Sequence, residues 1–305
     1  MTDILEKITA LAKRRGFIYP GSEIYGGLSG FYDYGPLGVL LKNNIKRAWW
    51  RDIVELRDDV VGLDSSIILN PKAWEASGHL TGGFVDLLVE CKKCHQRFKG
   101  DDKPEKCSNC GAKEFTGARQ FNTMFKTFVG PAEDTASVAY LRPETAGGIF
   151  VNFKNVLDTM RVKVPFGIAQ IGKAFRNEIN PKDFIFRTRE FEQMELEYFV
   201  NPKEADKIFK NWVKERINWY KKIGLKNIRE KEQKSDERAH YSKATVDIEY
   251  EFPFSAQGGS ASGRGWQEIE GVANRGDFDL KAHWKASGKD FTYSDDETKE
   301  KYIPY

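Results

Sequence analysis

The chain has 305 residues, with 48 lysines and arginines against 45 aspartates and glutamates; a net charge of +3 does not by itself demand a polyanionic partner. A composition 40% apolar and 30% charged excludes a mostly disordered protein and leaves a soluble globular one. No apolar run approaches the roughly 20 residues that cross a bilayer, and the N-terminus has no signal core, so a cytoplasmic protein without a membrane partner is expected.

In chain order, Asp3 and Glu6 read as the N-cap and N3 partner of a helix with an Ile4, Ile8, Leu11, Ala12 stripe, ending near Gly16. A glycine- and tyrosine-rich segment, Gly21 to Gly38, precedes a helix from Leu40 to Leu56, whose Trp49 and Trp50 belong in a core or a subunit interface. Val60 to Leu69 reads as a strand. Short strands are expected at Phe121 to Val129 and Val138 to Leu141, and a helix from Thr145 to Met160. Residues 202–223 repeat Ile208, Phe209, Trp212, Val213, Arg216, Ile217 and Tyr220 at helical spacing. Arg229 to His240 is charged and reads as a surface connection. Val246 to Phe252 and Trp266 to Ile269 are strands on either side of a Gly/Ser-rich flexible loop, 255–264. Helices and antiparallel strands mix without a βαβ rhythm, which predicts an α+β fold.

All four cysteines lie in two pairs, Cys91 with Cys94 and Cys107 with Cys110, inside a polar stretch at 86–117. Two such knuckles can place four thiolates around a structural zinc ion, and a short insert without a core gains folding energy from the metal. Disulfides or a site that has lost its metal are the alternatives, and His95 is expected at the surface because four sulfurs already close the shell.

The segments Gly172 to Glu178 and Arg187 to Glu195 read as paired antiparallel strands. Alternation puts Gly172, Ala174, Arg176 and Glu178 on one side of the first, and Phe191, Gln193 and Glu195 on one side of the second. Met194, Leu196 and Tyr198 then face the other way. An arginine, carboxylates and an aromatic ring on one floor suit a nucleotide and an ammonium group; a solvated face with cross-strand ion pairs fits the same pattern.

Phe175-Arg176-Asn177-Glu178, a loop, and Arg187 to Phe191 resemble motif 2 of the class II aminoacyl-tRNA synthetases. Gly30 to Gly38, Arg119 to Thr127, Leu141 to Thr145 and Gly271 to Leu280 resemble, in order, blocks of the homodimeric glycyl-tRNA synthetases. The resemblance implies an antiparallel class II sheet flanked by helices, with 1–85 as the N-terminal part of the catalytic domain, 86–117 as a zinc insert, and 118–305 as the core with a helical insertion near 202–240. It implies ATP-dependent glycine activation and transfer to tRNA(Gly), with magnesium and structural zinc. Arg176 and Glu178 would be catalytic, and Asn177, Phe186, Arg187, Thr188, Arg189, Glu190, Phe191, Glu268 and Ile269 would complete the ATP site. Glu144, Phe191, Glu192, Gln193, Met194, Glu195 and Arg97 would bind glycine.

The family continues past the position of Tyr305 into a third motif and an anticodon-binding domain. The resemblance implies a homodimer through the segment around Gly30 to Trp50, and weak or absent aminoacylation unless a complementary C-terminal chain or domain is supplied. Gly147 stands where the family carries glutamine, which would loosen the substrate pocket, and 255–264 is a natural loop or an engineered linker. The competing functional reading is a non-catalytic synthetase-like protein that binds RNA or a partner. Another treats the insert, with Lys92, Lys93, Arg97 and Lys99, as a nucleic-acid module.

Overall fold

The computed structural model describes residues 2–100, 103–181, 184–234, 238, 242–253 and 265–305. The loop expected at 255–264 lies outside them. Helix α1 (Thr2–Arg14) is followed by the hairpin β1 (Ile18–Pro20) and β2 (Tyr32–Tyr34). Helix α2 (Pro36–Trp50) starts on a proline at its first turn, four residues before the apolar pattern predicted, and runs into a π-turn at Arg51–Glu55. Gly38 is required there, because a Cβ would sit 1.9 Å from the Phe17 carbonyl oxygen.

The single strand expected from Val60 to Leu69 is two, β3 (Val60–Gly62) and β4 (Ile68–Leu69), serving different sheets. Helix α3 (Pro71–Ala76) and a π-turn at His79–Gly83 lead to β5 (Val85–Glu90), β6 (Arg97–Lys99) and β7 (Arg119–Asn122), which pair in the order β6-β5-β7. The strands β8 (Lys126–Phe128) and β9 (Val138–Leu141) join β4. Helix α4 (Ala146–Met160) precedes the long hairpin β10 (Phe166–Phe175) and β11 (Glu190–Phe199), with β3 parallel to β10 on its far side. Arg176 and Glu178 therefore lie just past the end of a strand.

Helix α5 (Ala205–Lys222) packs on a second sheet of β12 (Ile228–Glu232), β13 (Ala244–Phe252) and β14 (Gly265–Asn274). Strand β12 corrects the first part of the reading of 229–240 as a connection: at 229–232 the charges sit on an edge strand, where Arg229 and Lys231 reach Glu249. Helix α6 (Phe278–Ser287) and the pair β15 (Tyr293–Ser294) and β16 (Lys301–Tyr302) follow.

Period-two alternation divides the β10–β11 hairpin between two cores. Phe166, Ile168 and Phe199 point to Ile149, Phe150 and Phe153 of α4 and Leu280 of α6. Ala169, Ile171, Met194 and Leu196 point to Trp49, Ile53, Trp212, Trp219 and Tyr220 of the α2 and α5 side. Each fully buried large side chain contributes roughly 1.5–3 kcal/mol. A hairpin clamped on both faces in this way holds its open end rigidly, and the site is built there.

Candidate active site

The register pairs Ala174 with Phe191, Gly172 with Gln193 and Gln170 with Glu195, so these side chains share the α4 face beyond the point where α4 covers it. Arg176 follows directly. Its backbone N–H donates to Arg189 O at 2.9 Å, and its Nε donates to Pro143 O at 3.0 Å, fixing the guanidinium plane. That plane sits between two rings, 5.2 Å from Phe84 and 5.3 Å from Phe191. The two stacked rings leave a fixed cation beside an aromatic face, suited to a phosphate joined to a base.

Next to it lies an acidic pocket. The Thr145 hydroxyl donates to Glu195 Oε2 at 3.2 Å and its backbone N–H to Gln193 Oε1 at 3.2 Å, which joins the start of α4 to β11. Burial pushes the Glu195 carboxyl up to about 7, with the Glu144 charge as the second cause. Burial would raise Glu144 as well, but His79, Arg275 and Arg176 hold it below the ordinary carboxylate value. Glu197 is raised well above that value, because burial and the charges of Glu195 and Asp279 outweigh Arg275. Arg275 grips Asp279 through two bonds, 2.7 and 3.0 Å. Closely spaced carboxylates with too few cations form a pocket that gains from an incoming ammonium group.

Glu268 lies on β14 at a bulge opposite Ile248 and Glu249. Burial, then Asp247, raises its carboxyl, and Arg176 opposes this. A cavity of about 390 Å³ lies between β11 and β14, lined by Glu195 and Glu197 of β11 and by Glu268, Glu270 and Arg275.

Several residues expected in the site point elsewhere. Glu192 lies on the opposite face of β11, bound to Lys42 and Lys46 of α2 at 2.9 and 3.0 Å, and Met194 packs in the Trp49 core. Both lie one strand position from the floor, and period two sends them away. Glu190 shares their face and pairs with Lys173. Arg97 is exposed on the insert and pairs with Glu90 at 3.3 Å. Ile269 packs into the Trp49 core.

Arg189 is occupied by carbonyl groups, Glu178 O at 3.1 and 2.8 Å and Ser29 O at 2.6 Å, so it braces the hairpin end against the Gly30 segment. Thr188 Oγ1 donates to Glu190 O at 2.9 Å. Asn177 donates its backbone N–H to Thr123 O at 2.6 Å. Arg187 is exposed, 3.8 Å from Glu178, and Phe186 lies edge-on to Phe252. His79, Thr145, Glu197, Arg275 and Asp279 were not singled out from the sequence. Extending the 191, 193, 195 alternation by one step would have found Glu197; the others arrive from distant segments.

Gly147 does not loosen the pocket. A Cβ there would lie 2.8 Å from Trp74 Cζ3, so the fully buried Trp74 ring occupies the space that a side chain at 147 would claim.

The four cysteine sulfurs lie within 4.8 Å of one another, with Cys91–Cys110 at 3.6 Å and Cys94–Cys107 at 3.5 Å. Tetrahedral ligands about 2.3 Å from zinc are ~3.8 Å apart, so the donor set fits that ion. The two knuckles repeat one backbone pattern: His95 N to Cys91 O and Gly111 N to Cys107 O, then Cys91 N to Gln96 O and Cys107 N to Ala112 O. His95 is exposed and bound to Glu90 at 2.8 Å, outside the cluster.

Residues 125–268 match the tRNA synthetase class II core domain (G, H, P, S and T). The chain is 53% identical to the glycine–tRNA ligase of Alkaliphilus oremlandii over 332 aligned residues, covering 99% of this chain and 70% of that protein. It is 52% identical to the Geobacillus kaustophilus enzyme of the same name (100% and 71% covered) and 54% identical to that of Borreliella burgdorferi (99% and 67%). Identity of this level along the whole chain, carried by a hairpin that sets an arginine and an acidic pocket side by side, means that the chain belongs to the glycine–tRNA ligase family of class II aminoacyl-tRNA synthetases.

Proposed function

We infer that the chain activates glycine with ATP and passes it to tRNA(Gly). A carboxylate oxygen of glycine attacks the α-phosphorus, pyrophosphate leaves, and a terminal ribose hydroxyl of the tRNA then displaces AMP from the glycyl-adenylate. The observation that carries this reading is the contiguity of Arg176, held between Phe84 and Phe191, with the carboxylates Glu144 and Glu195.

Arg176 neutralises charge that develops on the α-phosphate, and Phe191 presents its ring to adenine. Glu144 and Glu195 take the ammonium group, with Gln193 and Thr145 fixing the wall beside them. Glu268 would help to hold magnesium, which would supply charge to the phosphates; Glu178, beside Arg187, would serve the ATP side. The four cysteines would hold zinc, which braces the insert.

A homodimer is supported by the exposed apolar residues Leu37, Leu40, Leu41 and Ile45 on α2 and by Ile24 and Tyr25, 87% and 86% exposed. A complementary C-terminal segment is supported by the cavity between β11 and β14, each of which pairs on one side only among the described residues. A cytoplasmic setting is proposed as well; no described helix is long and apolar enough to cross a membrane.

The test is glycine-dependent ATP–pyrophosphate exchange, with Arg176→Ala as control. Exchange that requires glycine and is abolished by the substitution supports the reading. Exchange that Arg176→Ala leaves intact, or that alanine supports as well as glycine, overturns it.

A further inference from the structure

We propose that His79 is a positioning residue of the glycine pocket, its Nε2 set against the Glu144 carboxylate to hold it where it meets the substrate's ammonium group. This rests on the reading of Glu144 as an ammonium ligand. His79 opens the π-turn after α3 and is buried, with 8% exposed. Its Nδ1 lies 2.7 Å from Ser77 Oγ, while its buried Nε2, without an aligned hydrogen-bond partner, lies 3.2 Å from Glu144 Oε1. A carboxylate oxygen can only accept, so hydrogen on the nitrogen that faces it is what would hold Glu144. The Ser77 hydroxyl serves the other nitrogen.

The ring has little freedom. It stacks on Phe84 at 4.7 Å and 14°, and Trp74 packs edge-on at 5.1 Å. Asn122 Nδ2 donates to the His79 carbonyl at 3.1 Å, anchoring the turn. The other cations near Glu144 are committed: Arg275 to Asp279, and Arg176 to Pro143 O. His283 of α6 also faces the histidine, and burial keeps its imidazole pKa low.

Phe84 is the shared element. Arg176 lies over its ring and His79 stacks on it, so one phenyl group separates the phosphate cation from the histidine that holds the ammonium carboxylate. Glycine has no side chain to grip, so its recognition depends on how rigidly a few charges are placed.

Two substitutions separate this from a packing role. His79→Phe keeps the ring on Phe84 and removes the donor; His79→Gln gives up the ring and retains a donor. In glycine-dependent pyrophosphate exchange, His79→Phe is expected to raise the glycine KM roughly 10- to 100-fold, the range for losing a bond to a charged group, with the ATP KM unchanged within about twofold. His79→Gln should stay within about threefold of the parent glycine KM. In a Glu144→Gln background, His79→Phe should add no further loss. Thermal melts confirm folding, and His79→Leu replaces His79→Phe if the larger ring does not fit.

An unchanged glycine KM in the donor-less variant overturns the proposal. So does a parallel rise in both KM values, or additive losses in the cycle. Failure of the parent chain to bind glycine in calorimetry overturns the underlying assignment of Glu144, and the role of His79 with it.

Discussion

Glu195 makes the most informative single perturbation, because the same carboxylate is set against both stability and substrate. Burial and the Glu144 charge push it up to about 7 from an ordinary 4.5. Below that value it is protonated and a poor partner for an ammonium group; above it, ionised and ready. If glycine binds only the ionised form, affinity follows the ionised fraction. Glycine KM should then fall about tenfold between about pH 6 and about pH 8, while the ATP KM stays flat. Binding near pH 7 should release close to half a proton, readable from the buffer dependence of the heat in calorimetry.

The stability consequence has the opposite sign. The folded protein binds the Glu195 proton more tightly than the unfolded chain, so no cost exists below about 4.5. The cost grows as pH rises and is complete above about 7. At ~1.36 kcal/mol per decade this amounts to at most roughly 3 kcal/mol. Glu195→Gln should therefore raise urea-unfolding stability at about pH 8, show no gain near pH 4, and abolish the pH dependence of a much weakened glycine KM. A glycine KM in the parent protein that does not change between about pH 6 and 8 would refute the reasoning.

Other substitutions probe the frame around the site. Gly147→Gln should destabilise by about 1–3 kcal/mol through the 2.8 Å approach of its Cβ to Trp74, and Trp74→Ala in the same chain should recover part of that loss, as read by urea titration. Arg216 is 4% exposed, bound to Glu270 at 2.7 Å and stacked on Trp219; Arg216→Ala should cost roughly 3–5 kcal/mol in the same assay, because Glu270 is left without its cation in a half-buried setting. Metal analysis should find about one zinc per chain, and a strong chelator should expose 86–117 to protease while the β10–β11 hairpin stays resistant; Cys107→Ser should do the same without chelator.

The elements most legible in the sequence are those whose information is local. Two Cys-x-x-Cys pairs prescribe a four-sulfur cluster wherever the chain runs. The helical spacing from Ile208 to Tyr220 places α5, and period two along 191, 193 and 195 gives the floor. The same period also rules out Glu192 and Met194, which only the resemblance had placed with glycine. Charge misled at 229–232, because an edge strand can keep charged side chains at the surface and read like a loop.

What the sequence by itself determined is therefore the family, the chemistry of the groups, and which of them alternate onto a common face. The tertiary structure decided which cations and acids meet: Arg176 between Phe84 and Phe191, His79 against Glu144, Arg275 against Asp279, Trp74 in the space beside Gly147. Apart from Arg275 and Asp279, one helical turn apart, those contacts join residues from 15 to 92 positions apart. No local pattern encodes them, since each forms only when two cores close on opposite faces of one hairpin and bring its open end, α3 and α4 to the same place.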